Sequence, residues 1–310
     1  MSGPLVSVIM PCYQCGATVE RSVRSVQAQT QADWELIAVD DGSRDETLEV
    51  LQILSHREPR MRVVHQENAG VSAARNAGIE LARGKWLFFL DADDLLERDC
   101  LEKLLSLQDE EAQILCGAYA MRYVDEGGRE EIYTCADGDR QCMLESLIRG
   151  DSALNSMCAR LYSAELIRRA NVRAPHGVKV GEDVLFNLEA FSSAAGWRVS
   201  RDVVYVYEYG GDSAMTRAKR NRMESSRDMI DGIGEFIQRT NQQTPLFRAH
   251  VDIYIRTLRA DKGRIGAAFA LTYGMVARMT KGVRLKSLPL KQKLYYLALR
   301  LLPCTSVLLP

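Results

Sequence analysis

The chain has 310 residues and a formal charge of −1, with 46% hydrophobic and 26% charged residues, 22 Gly and 8 Pro. A chain of that size buries a core without disulfides and suits two modules, or one α/β domain with an appendage. The composition excludes collagen-like, mucin-like and bulk-disordered sequence, and near-neutral charge excludes nucleic-acid binding through bulk electrostatics.

In chain order, residues 5–10 form a short apolar run stopped by Pro11, which predicts a buried strand. Val19, Val23 and Val26 recur at helical spacing. A second strand at 36–39 runs into Asp40-Asp41-Gly42-Ser43, where Ser43 or Asp45 can cap a helix whose apolar face is Leu48, Leu51 and Leu54. A third strand at 62–65 and a helix at 71–83 follow. A fourth strand, 86–90, leads directly into Asp91-Ala92-Asp93-Asp94, with a helix expected from near Leu95. Strands alternating with helices in this way predict a mostly parallel sheet with right-handed crossovers, binding ligands at the strands' carboxyl ends. Both acid groups lie there.

Residues 112–210 read as a mixed region, with a strand near Ile114, a helix over 163–170 and an extended stretch over 203–209. Beyond about Lys219 the pattern turns helical. Charge is distributed unevenly. Residues 1–261 hold all 41 acids but 31 of the 40 bases, a net of −10, and nine Lys or Arg follow Asp261 with no acid among them. Apolar stretches interleaved with bases suit either a helix lying at a membrane surface or a solvated helical cap. The longest uncharged stretch there, 265–277, has 13 residues, short of the ~20 that span a bilayer. Eight scattered cysteines and no evident leader predict reduced thiols in the cytoplasm. Cys12-x-x-Cys15 has no second CxxC or His pair to complete a zinc set.

Asp91, Asp93 and Asp94 crowd three carboxylates into four residues. Two unit charges ~4 Å apart repel by about 4 kcal/mol at an effective dielectric near 20, so a cation would relieve the cluster. Hard oxygen ligands suit Mg²⁺ or Mn²⁺ bridged to a substrate phosphate, while a helix cap is the plain alternative. No glycine-rich phosphate loop is present, so a metal held by Asp is the remaining way to hold a diphosphate.

Four motifs, Val8-Ile-Met-Pro-Cys-Tyr13, Val39-Asp-Asp-Gly-Ser43, Asn68-Ala-Gly-Val-Ser-Ala-Ala-Arg-Asn-Ala-Gly78 and Leu90-Asp-Ala-Asp-Asp94, together resemble family 2 glycosyltransferases of the GT-A fold. A weaker block, Leu161-Tyr162, Gly181-Glu-Asp-Val-Leu-Phe186, Tyr205-Val-Tyr207 and Asp212-Ser213, extends the likeness to about residue 215. The resemblance implies a Rossmann-like α/β domain over 1–215, with a nucleotide-binding half (1–110) and an acceptor and catalytic half (111–215). Residues 216–310 would form a basic helical extension.

It further implies that Pro11, Tyr13 and Asp41 line the nucleobase pocket, that Asp91 faces the ribose, and that Arg75 approaches the ribose or diphosphate, with a helix-surface arginine as the plain alternative. Asp91 and Asp93 would be the DxD pair, one toward the ribose and one on Mn²⁺ or Mg²⁺. Asp94 would be able to take either role, beside Asp93 as a metal ligand, and Asp183 or Glu182 would be the catalytic base. One departure stands out. Where close relatives often carry Trp-Asn-Lys-Leu-Tyr, this chain has Met157-Cys-Ala-Arg-Leu-Tyr162, which keeps a positive charge at Arg160 and loses an aromatic that could stack on an acceptor.

The activity implied is inverting transfer from a nucleotide-diphosphate sugar, with UDP as the default, to a glycan or lipid-linked acceptor in bacterial surface-polysaccharide synthesis. Residues 262–310 would touch the inner face of the cytoplasmic membrane. A sugar-1-phosphate nucleotidyltransferase and a non-catalytic sugar- or membrane-binding module are the rival readings.

Overall fold

The computed structural model describes residues 3–135, 137–150, 153–178, 180–210 and 222–240. Its first half follows the sequence pattern: β1 (Val6–Cys12), α1 (Val19–Gln27), β2 (Trp34–Asp41), α2 (Thr47–Arg57), β3 (Met61–Gln66), α3 (Val71–Leu81) and β4 (Trp86–Phe89). All of β2 is buried, as expected of a strand covered on both faces. β1 pairs in parallel with β2 and β4, and β2 with β3. The order 3-2-1-4 reverses between β1 and β4, so their carboxyl ends flank a topological switch point.

The chain continues through β5 (Leu95–Leu96), α4 (Cys100–Ser106), β6 (Ala112–Tyr123), a 3-10 turn (Val124–Glu126), β7 (Arg129–Tyr133), α5 (Arg140–Arg149), β8 (Arg160–Ser163), α6 (Ala164–Arg169), α7 (Glu182–Ser193), β9 (Gly196–Tyr209) and α8 (Arg222–Arg239). Among the described residues the sheet has nine strands in the order β3-β2-β1-β4-β8-β6-β9-β5, with β7 also on β6. Beyond β4 it is mixed: β8 is antiparallel to β4 and β6, while β6 and β9 run parallel. No helix begins at Leu95. Residues 95–96 pair antiparallel with Val206 and Tyr205, and the next helix starts at Cys100.

A side-chain network at Glu35 and a close approach at Gly78 lock the parallel half. Glu35 of β2 is buried and accepts from the Ser7 hydroxyl at 2.7 Å, the Arg83 backbone N–H at 2.8 Å and the Arg83 guanidinium at 2.8 and 3.0 Å. It thereby ties β1 and β2 to the segment after α3. Close approach of α3 to β1 needs Gly78, where an added Cβ would lie 2.3 Å from Ile9 Cγ2. Further along, Phe89, Tyr162 and Phe186 meet edge to face with centroids 5.4 to 5.8 Å apart. Each such ring contributes roughly 1.5–3 kcal/mol by burial.

The described residues fall into two compact units. One comprises 3–135 with 137, 153–177 and 186–210, and carries the sheet. The other comprises 138–150, 178, 180–185 and 222–240. In the second, Asp139 caps α5 by accepting from the Cys142 N–H at 2.8 Å. Gly181 has φ +87° and lies against α8, where a Cβ would meet Met229 Sδ at 2.2 Å. Leu185 covers Gly232 in the same unit. Among the described residues no helix is long and apolar enough to cross a membrane. The basic stretch 262–310 lies outside the described residues.

Candidate active site

Two loops meet at the carboxyl ends of β1 and β2. Pro11 sits past the last pairing of β1 with β4, Ile9↔Phe89, so its missing N–H leaves no ladder bond unmade. Tyr13 follows at 50% exposure, and Gln14 turns the chain with φ +53°. Three side-chain oxygens latch that turn to the loop after β2. Ser43 Oγ accepts from the Gln14 N–H at 3.1 Å, Thr47 Oγ1 from Cys15 at 2.8 Å, and Asp45 Oδ2 from Gly16 at 3.1 Å. Ser43 therefore serves the Gln14 turn, while Asp45 accepts from the Thr47 N–H at 3.1 Å at the start of α2.

Asp41 is 3% exposed and also performs a capping task, for a different helix from the one it precedes. Its Oδ1 accepts from Gln66 Nε2 at 2.7 Å and the Ala69 N–H at 2.9 Å, and its Oδ2 from the Gly70 N–H at 2.8 Å. Gly70, at φ +91°, is the residue that opens α3. The carboxylate thus fixes the start of the helix that carries Arg75. Asp40 is fully buried against His65 Nδ1 at 2.7 Å.

Arg75 is no surface arginine. It is 3% exposed, and its Nη2 donates to Asp91 Oδ1 at 3.0 Å. Asp91 Oδ2 accepts from the Cys158 thiol at 3.8 Å, and the Asp91 N–H donates to the Tyr205 hydroxyl at 3.2 Å. A turn closed by Asp94 N–H to Asp91 O, 3.1 Å, then separates the three acids by environment. Asp94 is fully buried: its Oδ2 accepts from the Tyr205 hydroxyl at 2.6 Å and its Oδ1 from the Glu208 N–H at 3.0 Å. Asp93 is exposed, and its carbonyl accepts from Arg21 Nη2 at 2.7 Å.

Burial, then the charges of Asp91 and Asp93, pushes the Asp94 carboxyl well above the usual range. Asp93 is also raised, first by desolvation around its carboxyl within the turn and then by Asp91. Negative charge is therefore held here against its preference, which a bound cation would reverse. The helix-cap explanation of these acids falls away, because β5 and not a helix follows them.

β9 holds the acid turn in place. Tyr205 and Glu208 bind Asp94 directly, and the Glu208 carboxylate pairs with Arg21 of α1 and with Arg122 at 3.7 Å. Sequence reasoning missed Arg21 and Glu208 and had Tyr205 only as a fragment of a motif. These partners stand 72 to 187 positions apart in the chain, and no local pattern marks them.

Arg160 likewise has a role that its position did not suggest. It is 1% exposed and donates to the carbonyls of Ala153, Ser156 and Cys158 and to Cys135 Sγ at 3.2 Å. Asn187 fastens the same loop, donating to Leu154 O at 2.8 Å and Ser156 O at 2.9 Å. The positive charge is spent on shaping the loop that delivers Cys158 to Asp91, and is unavailable to an acceptor. Glu182 and Asp183 occupy the first turn of α7, half-exposed, in the second unit.

Residues 7–169 match the family model described as Glycosyl transferase family 2. The chain belongs to that family. The match takes in β1 through α6 and hence both acid loops, Arg75 and the 153–158 loop. Among curated relatives, the uncharacterized glycosyltransferase EpsJ of Bacillus subtilis is 31% identical over 68% of this chain, and the match covers 62% of EpsJ's own length. Chondroitin synthase of Escherichia coli is 38% identical over 40% of this chain and 18% of that protein.

Staphylococcus aureus TarS, solved with UDP-GlcNAc, superposes with TM-score 0.70 at 18% identity, covering 98% of this chain and 89% of that chain. The mannosyltransferase PcManGT of Pyrobaculum calidifontis, solved with GDP-Man and Mn²⁺, has TM-score 0.57 at 17% identity, covering 99% of this chain and 87% of that chain. These likenesses establish the GT-A architecture.

Proposed function

We propose that this chain is a metal-dependent, inverting glycosyltransferase of the hexosyl type. It would move a sugar from a nucleoside diphosphate, UDP in the first instance, to a hydroxyl of a glycan or lipid-linked saccharide in bacterial surface-polysaccharide assembly. One observation carries the reading: the 91–94 turn, at the switch point of the sheet, crowds three acids into four residues, with Asp93 exposed and Asp91 and Asp94 held by protein donors. A diphosphate donor with its cation is the ligand that such a turn accommodates. That TarS is known with UDP-GlcNAc and a related mannosyltransferase with GDP-Man and Mn²⁺ supports it by analogy of fold.

The donor set fits a hard divalent ion. Among the described residues no three His, Cys, Asp or Glu side chains form a ready cluster for a metal. Mn²⁺ and Mg²⁺ need no such cluster, since one or two carboxylates and substrate phosphates satisfy them. Asp93 would hold the ion, with Asp91 beside it. Asp94, expected as a second ligand, is better read as the buried anchor that orients the turn. When bound, the ion supplies Lewis-acid neutralisation of the departing diphosphate.

The protein groups do the rest. Tyr13, exposed beside Pro11, offers a ring to the nucleobase, and Asp41 retains lone-pair capacity for a base N–H beyond the three bonds it accepts. Arg75, held against Asp91, places positive charge at the donor's polar end. Asp183, with Glu182 beside it as the other candidate, would take the proton from the acceptor hydroxyl. The oxygen then attacks the anomeric carbon as its bond to the diphosphate breaks, inverting that centre; such a base is worth typically about 10²–10⁴-fold. The basic stretch 262–310 would bring the protein to an anionic membrane where lipid-linked acceptors reside, at about 1 kcal/mol per base near the surface.

The test is a panel of UDP-, GDP- and dTDP-sugars with Mn²⁺, following nucleoside diphosphate release. One donor class should be hydrolysed slowly by the wild type and not by Asp183→Asn with Glu182→Gln. Release from none, or unchanged release in the double variant, refutes the assignment.

A further inference from the structure

Beyond the donor pocket, the strand that clamps the acid turn continues outward as a tyrosine-rich face. Tyr205, Tyr207 and Tyr209 of β9 alternate with Val204, Val206 and Glu208, so the tyrosines share one face of the sheet. Val204 and Val206 are buried on the other face. Tyr205 is the inner end, with its hydroxyl on Asp94 and Asp91. Register places Met121 beside Tyr207 and Tyr123 beside Tyr209. From Tyr205 to Tyr209 is about 13 Å of extended strand, long enough for a short saccharide.

The outermost tyrosine, Tyr209, is braced from the side by the neighbouring strand. Tyr123 meets Tyr209 edge to face at 5.4 Å, and the Arg129 guanidinium lies 4.3 Å from the Tyr123 centroid. Glu131 accepts from the Tyr123 hydroxyl at 3.0 Å and from the Tyr133 hydroxyl at 2.7 Å. Tyr207 and Tyr209 are each half-exposed. Tyr207 shares its face of β9 with Tyr205, whose hydroxyl reaches Asp94 at 2.6 Å, so the outer tyrosines run on from the acid turn.

We propose that Tyr207 and Tyr209 form the floor of the acceptor tract, on which a neutral saccharide chain lies with its reactive end toward the 91–94 turn. This rests on the glycosyltransfer reading above and names the class and path of its second substrate. Tyrosine suits a sugar because each presents an apolar face and a hydroxyl edge. Charge favours a neutral chain: between residues 122 and 131 the four acids Asp125, Glu126, Glu130 and Glu131 outnumber Arg122 and Arg129. Both arginines are already paired, Arg122 with Glu130 and Arg129 with Glu126 and Glu131. An acidic polymer would find repulsion here, and the departure at residues 157–162 is answered by aromatics supplied from β9 instead.

The experiment measures binding of two neutral tetrasaccharides, β-linked N-acetylglucosamine and β-linked glucose, to the full chain by saturation-transfer NMR titration. Each is offered free and on a short alkyl chain, and UDP-GlcNAc binding is measured on the same samples by calorimetry. The expected result is binding of at least one tetrasaccharide in both forms. Tyr207→Ala and Tyr209→Ala should weaken it about ten-fold and Tyr209→Phe should restore it, while UDP-GlcNAc affinity stays within about two-fold. A wild type that binds the nucleotide sugar but neither tetrasaccharide overturns the tract. So do alanine variants that bind like wild type, or a preference for the alkyl form that Tyr209→Ala leaves unchanged. Failure of the wild type to bind any nucleotide sugar refutes the donor assignment, a separate result.

Discussion

Removing one hydroxyl, in Tyr205→Phe, tests how the acid turn is held. That oxygen donates to buried Asp94 at 2.6 Å and accepts from the Asp91 N–H at 3.2 Å. The ring fills the same space, so packing survives and the cost is electrostatic. Leaving a buried carboxyl oxygen without its donor costs about 1–3 kcal/mol. For a domain of this size each kcal/mol lowers Tm by about 2–4 °C, so a loss of about 2 kcal/mol appears as a fall of roughly 4–8 °C. The Tyr205 bond opposes the burial that raises Asp94, so the variant's Asp94 should rise further and the 91–94 turn loosen. Turnover should then fall by at least about ten-fold, equivalent to ~1.4 kcal/mol of lost transition-state positioning. Far-UV circular dichroism melts and nucleotide-release kinetics measure both effects. A Tm within about 1 °C of wild type together with unchanged turnover would refute the clamp.

Other outcomes follow from the same geometry. Arg160→Met strands the Cys158 carbonyl, leaves Ser156 O with Asn187 alone and Ala153 O with only the weak Cys135 thiol, and should cost ~3 kcal/mol, read as early unfolding in urea. Glu35 is pushed up by burial, but the Ser7 and Arg83 hydrogen bonds and the charge of Arg62 outweigh that, so its folded pKa lies below the ordinary 4.5. Its stabilisation is therefore full above that value and lost as pH falls through the folded pKa. The Tm gap between wild type and Glu35→Gln should be large at neutral pH and close in acid; a gap independent of pH contradicts the assignment. Deleting residues 283–310 should abolish flotation with anionic vesicles, and undiminished flotation would contradict membrane docking through the basic stretch.

Much of the parallel half was legible because its signals are local. Apolar runs such as 36–39, and helices spaced as Val19, Val23 and Val26 are, depend on neighbours within a turn or two. The acid turn was legible as chemistry but not as structure. Asp93-Asp94-Leu95 reads like a helix start, and only the pairing of Leu95 and Leu96 with β9, more than a hundred residues later, makes it a strand. Buried polar partners were the least visible. Arg160 looks like a charge meant for a ligand because its acceptors are backbone carbonyls, which no sequence displays. Asp41 stands just before α2 in the chain, yet its three donors come from residues 66–70, at the end of β3 and just after it. Arg75 could be read either way from α3 alone; its burial against Asp91 decides the matter.

The most direct test is calorimetry of UDP binding with and without Mn²⁺, for wild type and Asp93→Asn. The account predicts that Mn²⁺ tightens UDP binding by at least about ten-fold in the wild type and not in the variant. The variant's Tm should stay within about 2 °C, because Asp93 is exposed. Equal affinity with and without Mn²⁺, or a variant that keeps the full metal-dependent gain, would contradict it.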